Sequence, residues 1–211
     1  MLLYDSGVSG NCYKVRLLLA QLGREYERVE LDLFASQART PAFLAKNPHG
    51  RLPLIELDDG QCIAESNAIL YYLAQGTRYF PHDPVAAARV MRWMFWEQNT
   101  LEPPLAGARF LLQFNGKTLE NESVIKRRER AENALMHMEI HLGVRSYFVG
   151  DHYTIADTCL YAYTHCAPEA EIALDGYPAI SAWLERVEAQ PGFIAMKPDS
   201  TTDEQSEIPA T

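Results

Sequence analysis

The apolar pattern of this chain changes period once, near Gly76, and that change limits the folds open to it. Before it, short apolar runs of strand character alternate with helical segments; after it, every long segment repeats its apolar residues at helical spacing. A chain divided in this way is expected to fold as an α/β half followed by an all-helical half, hence as two domains. Its 211 residues suffice for two cores. No internal repeat is visible.

The first half reads β-α-β-α-β-β-α. Leu2–Tyr4 is a brief strand, and Asn11–Leu22 is a helix with Val15, Leu18, Leu19 and Leu22 on one face and Gly23 as its C-cap. Tyr26–Leu31 alternates weakly as a strand. Thr40 and Pro41 open a short helix, since threonine is a good N-cap and proline fits the first helical position. Leu52–Leu57 and Gln61–Ala64 flank Asp58-Asp59-Gly60, a hairpin turn, and Ser66 caps a helix through Ala74. The expected division is a domain over 1–76, a linker over 77–84 and a helical domain over 85–197. Within the latter, Val85–Leu101 is predicted to break or kink at Pro103-Pro104 and to resume over Leu105–Phe114. Ser123–Leu142, Ile155–Ala167 and Pro178–Ala189 are the remaining helices, and Thr154-Ile155-Ala156-Asp157 has capping-box spacing with a short acid. The tail over 198–211 has almost nothing to bury and is expected to be disordered.

Charge removes several function classes. With 19 Lys+Arg against 28 Asp+Glu the net charge is −9, so phosphate backbones and anionic membrane surfaces are poor partners. Cys12, Cys62, Cys159 and Cys166 form no C-x-x-C pair, which argues against a disulfide framework or a zinc site and for a reducing compartment. The opening MLLYDSG is not a signal sequence and no run is long enough to span a bilayer, so a cytoplasmic location is expected. His137 and His141 stand four apart but lack a third ligand, so no metal is expected. The basic run Lys126–Arg130 is matched by Glu120, Glu122, Glu129 and Glu132 and reads as a solvated helix face. Small molecules and protein partners remain.

Three segments carry candidate chemistry: Ser9-Gly10-Asn11-Cys12, Asn47-Pro48-His49-Gly50-Arg51-Leu52-Pro53 and Glu65-Ser66-Asn67-Ala68. The first and third open helices, and a helix N-terminus offers unpaired N–H groups and about half a positive charge to an anion. In this order and at these spacings the chain resembles the cytosolic glutathione transferase superfamily, with affinities to theta-like and bacterial nu-like members. The resemblance spans nearly the whole chain: a thioredoxin-like half with N-P-x-G-x-x-P and E-S-x-A-I elements, then a helical half with a T-x-A-D box.

The resemblance implies glutathione as co-substrate and assigns residues to it. Ser66 would take the γ-glutamyl carboxylate and Glu65 the ammonium; Pro53 would be cis, turning the main chain of Leu52 toward the tripeptide as an added strand. Arg51, and Gln37 or Arg39, would reach the glycyl carboxylate, although each also reads as an exposed loop residue. Asn99 would cross a homodimer interface to the γ-glutamyl end. Ser9, with Asn11, would stabilise the thiolate: a free thiol has a pKa of ~8.5, and lowering it two units takes ~2.7 kcal/mol. Ser9 and Cys12 hold the two positions of a thioredoxin-type C-x-x-C, so the reactive thiol is a supplied one. Cys12 reads as a small buried hydrophobe, and Tyr4, which falls earlier on the first strand, ranks behind Ser9 as the sulfur contact. Trp93, Phe95, Trp96, Phe110 and Phe114 read mostly as core, with Arg109 and Phe110 as candidates facing a second ligand. The implied reaction is thiolate attack on a hydrophobic electrophile, and glutathione-dependent disulfide reduction and a non-enzymatic binding module stay open beside it.

Overall fold

The computed structural model describes residues 1–196, so the tail from Pro198 lies outside the described residues. Four strands, β1 (Leu2–Asp5), β2 (Glu27–Glu30), β3 (Leu54–Glu56) and β4 (Cys62–Ala64), form one mixed sheet in the order β2-β1-β3-β4. β1 pairs parallel with β2 and antiparallel with β3, and β3 and β4 form the hairpin around Asp58-Asp59-Gly60. Strand alternation separates the two faces. Leu3 and Ile55 point to the main core with α1 (Gly10–Leu22) and α3 (Ser66–Ala74), whereas Tyr4 and Leu54 face Phe43 of α2 (Pro41–Lys46).

Local chemistry fixes the helix ends. Ser9 Oγ accepts from Cys12 N at 3.3 Å, Thr40 Oγ1 accepts from Phe43 N at 3.3 Å, and Gly23 closes α1 in the left-handed region at φ 61°, where it costs no Cβ clash. Two details differ from the sequence reading. The N-cap of α3 is Glu65 rather than Ser66, which is the first helical residue, and Gln37–Arg39 form a short 3₁₀ turn.

The second domain holds α4 (Pro84–Trp96), α5 (Glu102–Gln113), α6 (Glu122–Leu142), α7 (Ile155–Thr164) and α8 (Pro178–Glu188). Pro103 and Pro104 do not interrupt the helix; they sit in the first turn of α5, and the irregularity falls before them as a π turn over Glu97–Leu101. The cause is the missing donor. Prolines at 103 and 104 cannot serve the carbonyls of residues 99 and 100, so the ladder changes register there instead of breaking. All ten residues of α7 are buried, and it packs against α1, α4, α5 and α8. It ends at Thr164, short of the expected Ala167, and a 3₁₀ turn over Ala167–Ala170 containing Pro168 follows. Among the described residues no helix is long and apolar enough to cross a membrane.

Candidate active site

The loop from Ser6 to Ser9 joins β1 to α1 and is held by buried charge. Asp5, fully buried, pairs with Arg16 at 2.7 Å and with Arg28. Arg16 also donates to the carbonyls of Ser6 at 3.3 Å and Gly7 at 3.2 Å. From the other domain, Arg109 donates to the carbonyl of Val8 at 2.8 Å. Ser9 is half-buried at the end of this loop. Its bond from Cys12 N uses an oxygen lone pair and leaves the hydroxyl proton for an acceptor.

α3 supplies the second N-terminus. Glu65 is exposed and holds φ at 69°, an unusual value for a residue with a side chain, which turns the chain sharply from β4 into the helix. The first intrahelical bond runs from Ile69 N to Glu65 O at 2.9 Å, so the N–H groups of residues 66–68 head the helix. Ser66 Oγ donates to Asn11 Oδ1 at 3.0 Å, and Asn11 Nδ2 donates to Glu102 Oε1 at 2.7 Å. These two bonds set the N-termini of α1 and α3 side by side and tie both to α5.

Beneath them lies a buried ionic cluster. Lys14 Nζ is 2.9 Å from both carboxylate oxygens of Glu97 and 3.6 Å from Glu102, and neither Lys14 nor Glu97 has any exposed side-chain surface. Asn67, Gln98 and Cys159 also donate to Glu97. Burial opposes the charge on Lys14, but the facing Cys159, Glu97 and Glu102 outweigh it and hold the ammonium above the ordinary lysine range. Glu102 is pushed upward by burial, with Lys14 acting against the shift.

The segment before β3 forms the third wall. Asn47 Nδ2 donates to the carbonyl of Arg51 at 2.8 Å and Asn47 Oδ1 accepts from His49 N at 3.2 Å, which folds the loop so that Gly50 takes φ 57°. A Cβ at Gly50 would lie 2.8 Å from the carbonyl of Ala38 and 2.9 Å from Arg39 Cδ, so only glycine lets the two loops meet. The Leu52–Pro53 peptide is cis. Leu52 is half-buried, Pro53 buried, and Arg51 and Arg39 exposed. Gln37 is exposed as well, with its Oε1 already accepting from Asp32 N at 2.8 Å. Asn99 is exposed on the π turn of the helical domain.

Other sequence candidates stand elsewhere. Tyr4 donates its hydroxyl to Glu56 Oε2 at 2.7 Å, away from Ser9, and burial together with Glu56 raises its pKa. Cys12 is fully buried and burial pushes its thiol up to about 12, so it is not a nucleophile at neutral pH. Arg109 is buried and bonded to Val8 and Glu169. Sequence reasoning passed over Glu102 and Phe34. Phe34, on the loop after β2, stacks 6.5 Å from Phe110 and lies tilted 5.4 Å from Phe114, and all three stay partly exposed, leaving an aromatic patch where the two domains meet. A loop phenylalanine has no periodicity to announce it. Among the described residues no group of three His, Cys, Asp or Glu could hold a metal, and His141 Nε2 faces the carbonyl of Phe148 at 3.1 Å.

A four-stranded mixed sheet domain with paired helix N-termini, docked on a helical domain that reaches into its first loop, defines a protein with a thioredoxin-like half and a helical half. The chain belongs to the glutathione S-transferase family: residues 1–75 match the family's N-terminal domain and residues 101–191 its C-terminal domain. It is similar to a solved glutathione S-transferase from Pseudomonas fluorescens, 44% identical over 92% of this chain and 98% of that one, with a TM-score of 0.90. Glutathione S-transferase F13 of Arabidopsis thaliana is 30% identical over 95% of this chain and 96% of its own. Elongation factor 1-gamma of Artemia salina is 31% identical over 80% of this chain, which spans 40% of that protein.

Proposed function

We propose that the protein is a glutathione transferase in which the thiolate of bound glutathione attacks a hydrophobic electrophile. The observation that carries this reading is the Ser66–Asn11 hydrogen bond, which joins two helix N-termini into one anion-attracting floor. The carboxylate of the γ-glutamyl end meets the N–H groups heading α3, that of Ser66 first among them, while the Ser66 hydroxyl proton stays on Asn11, and the exposed Glu65 meets the ammonium. Leu52 offers its main chain to the peptide, Arg51 with Arg39 or Gln37 offers charge or a donor to the glycyl carboxylate, and Asn99 of a second copy completes the γ-glutamyl site. The Ser9 hydroxyl points its free proton at the sulfur and lowers the thiol pKa by donating to the thiolate. Asn11 has its oxygen committed to Ser66 and one amide hydrogen to Glu102, so it contributes to the sulfur site at most its second amide hydrogen. The aromatic patch of Phe34, Phe110 and Phe114 suits an apolar acceptor. Phe95, Ile140 and Val144 are exposed on α4, α6 and the turn after α6, and support pairing with a second copy.

Calorimetric titration with glutathione tests the binding; no heat at millimolar ligand removes the reading. Ser9→Ala is expected to cut kcat/KM for a chloronitrobenzene acceptor by about 10²-fold, the equivalent of ~2.7 kcal/mol, with glutathione affinity kept. Full activity in that variant strips Ser9 of its role. The same assay with hydroxyethyl disulfide distinguishes conjugation from disulfide reduction. The likeness to elongation factor 1-gamma favours a second reading, a non-catalytic module of this fold; it predicts no turnover with either acceptor.

A further inference from the structure

We infer that Arg109, on the helical domain, is a positioning residue for the sulfur site: it pins the peptide plane between Val8 and Ser9 and so aims the Ser9 hydroxyl. The inference rests on the proposed thiolate chemistry. A peptide unit is planar, with its C=O and N–H on opposite sides, so fixing one end fixes the other. The 8–9 peptide is held at both: Arg109 donates to Val8 O at 2.8 Å, and Ser9 N donates to Ser6 O at 3.1 Å. The Ser6 carbonyl is itself held by Arg16. With Ser9 Oγ bound to Cys12 N, both the backbone and the side chain of Ser9 are then fixed.

The guanidinium is held in place by further contacts. Its Nε donates to Glu169 Oε2 at 2.7 Å, its face lies 5.4 Å from the Phe114 ring, and only 10% of its side chain is exposed. Glu169 sets the plane of the fork through Nε, Phe114 covers it, and Nη1 meets Val8. This use needs a planar group with two divergent donors, which arginine has and lysine lacks. It also couples the domains: α5 reaches across to the loop that carries the thiol-binding serine. A hydroxyl displaced by one ångström loses its bond to the thiolate without disturbing the α3 N-terminus that holds the other end of the peptide.

The test compares wild type, Arg109→Met and Arg109→Lys for glutathione affinity by calorimetry, for the pH midpoint of bound-thiolate absorbance, and for kcat. Both variants are expected to bind glutathione within about twofold of wild type, to move the thiolate midpoint up by about one pH unit, and to lose about tenfold in kcat. An unchanged midpoint in Arg109→Met overturns the inference, and so does full rescue by Arg109→Lys, which would mean that charge alone suffices. Should Arg109→Met not fold, Glu169→Gln loosens the same fork from its more exposed partner and is expected to shift the midpoint in the same direction; no shift overturns the inference. Wild type that binds no glutathione is a separate outcome and defeats the proposed function instead.

Discussion

Asp157 accepts four hydrogen bonds with no exposed surface: Oδ1 from Phe148 N at 3.1 Å and Trp183 Nε1 at 3.0 Å, Oδ2 from Thr154 N at 2.9 Å and Thr154 Oγ1 at 3.2 Å. Burial nevertheless dominates and raises its pKa to about 6 against those bonds. The sign of the consequence follows from proton binding. Between pH ~4 and ~6 the native carboxyl is protonated and the unfolded one is not, so through this group stability increases as pH falls and is lost as pH rises. The difference in unfolding free energy between wild type and Asp157→Asn, measured by urea titration, is expected to favour wild type by about 2 kcal/mol more at pH 4 than at pH 7. A difference that is flat with pH would falsify the burial penalty. The Thr154-x-x-Asp157 spacing was legible because a capping box is local. The bonds from Phe148 and Trp183 were not, since nothing in a single sequence links residue 157 to an indole 26 positions later.

The elements were legible wherever a cap or a period defined them. Ser9, Gly23, Thr40 and the long amphipathic stretch of α6 mark their own ends. Strand order was not legible, because the central place of β1 depends on pairing with residues more than twenty positions away. The π turn was missed for a related reason: two prolines announce a disturbance, but packing decides which side of them absorbs it. One close helix contact carries a prediction. A Cβ on Gly10 would sit 2.8 Å from two ring carbons of Tyr163 on the wholly buried α7, so α1 approaches α7 there only because residue 10 lacks a side chain. Gly10→Ala gains helix propensity of about 1 kcal/mol, yet the ring cannot withdraw from a packed core. A net loss of about 1–3 kcal/mol in urea denaturation is expected, together with weaker glutathione binding as Ser9 and Asn11 are pushed from α3. A more stable variant would show that Tyr163 yields.

At the scale of the whole molecule, the proposed site's first-domain residues stand in short motifs, and the contacts that reach it from the second domain do not. Ser9, Arg51, Pro53, Glu65 and Ser66 lie in short motifs, whereas Glu97, Glu102 and Arg109 meet their partners Lys14, Asn11 and Val8 across 83, 91 and 101 residues. Those three contacts join the domains beneath and beside the proposed sulfur site, so the halves are expected to unfold as one cooperative unit. The Lys14–Glu97 pair allows a direct test. Removing one member strands a carboxylate or an ammonium away from water, which costs about 3–5 kcal/mol; removing both discards the attraction and the burial penalty together. Lys14→Met and Glu97→Gln should each lower the urea midpoint strongly, and the double variant should recover more than half of the summed loss. Glu102, 3.6 Å from Lys14, keeps the recovery incomplete, because its carboxylate loses the same cation. If the two losses simply add, the pair is not acting as a unit. A single variant whose transition splits in two would show instead that this cluster is what makes the domains fold together.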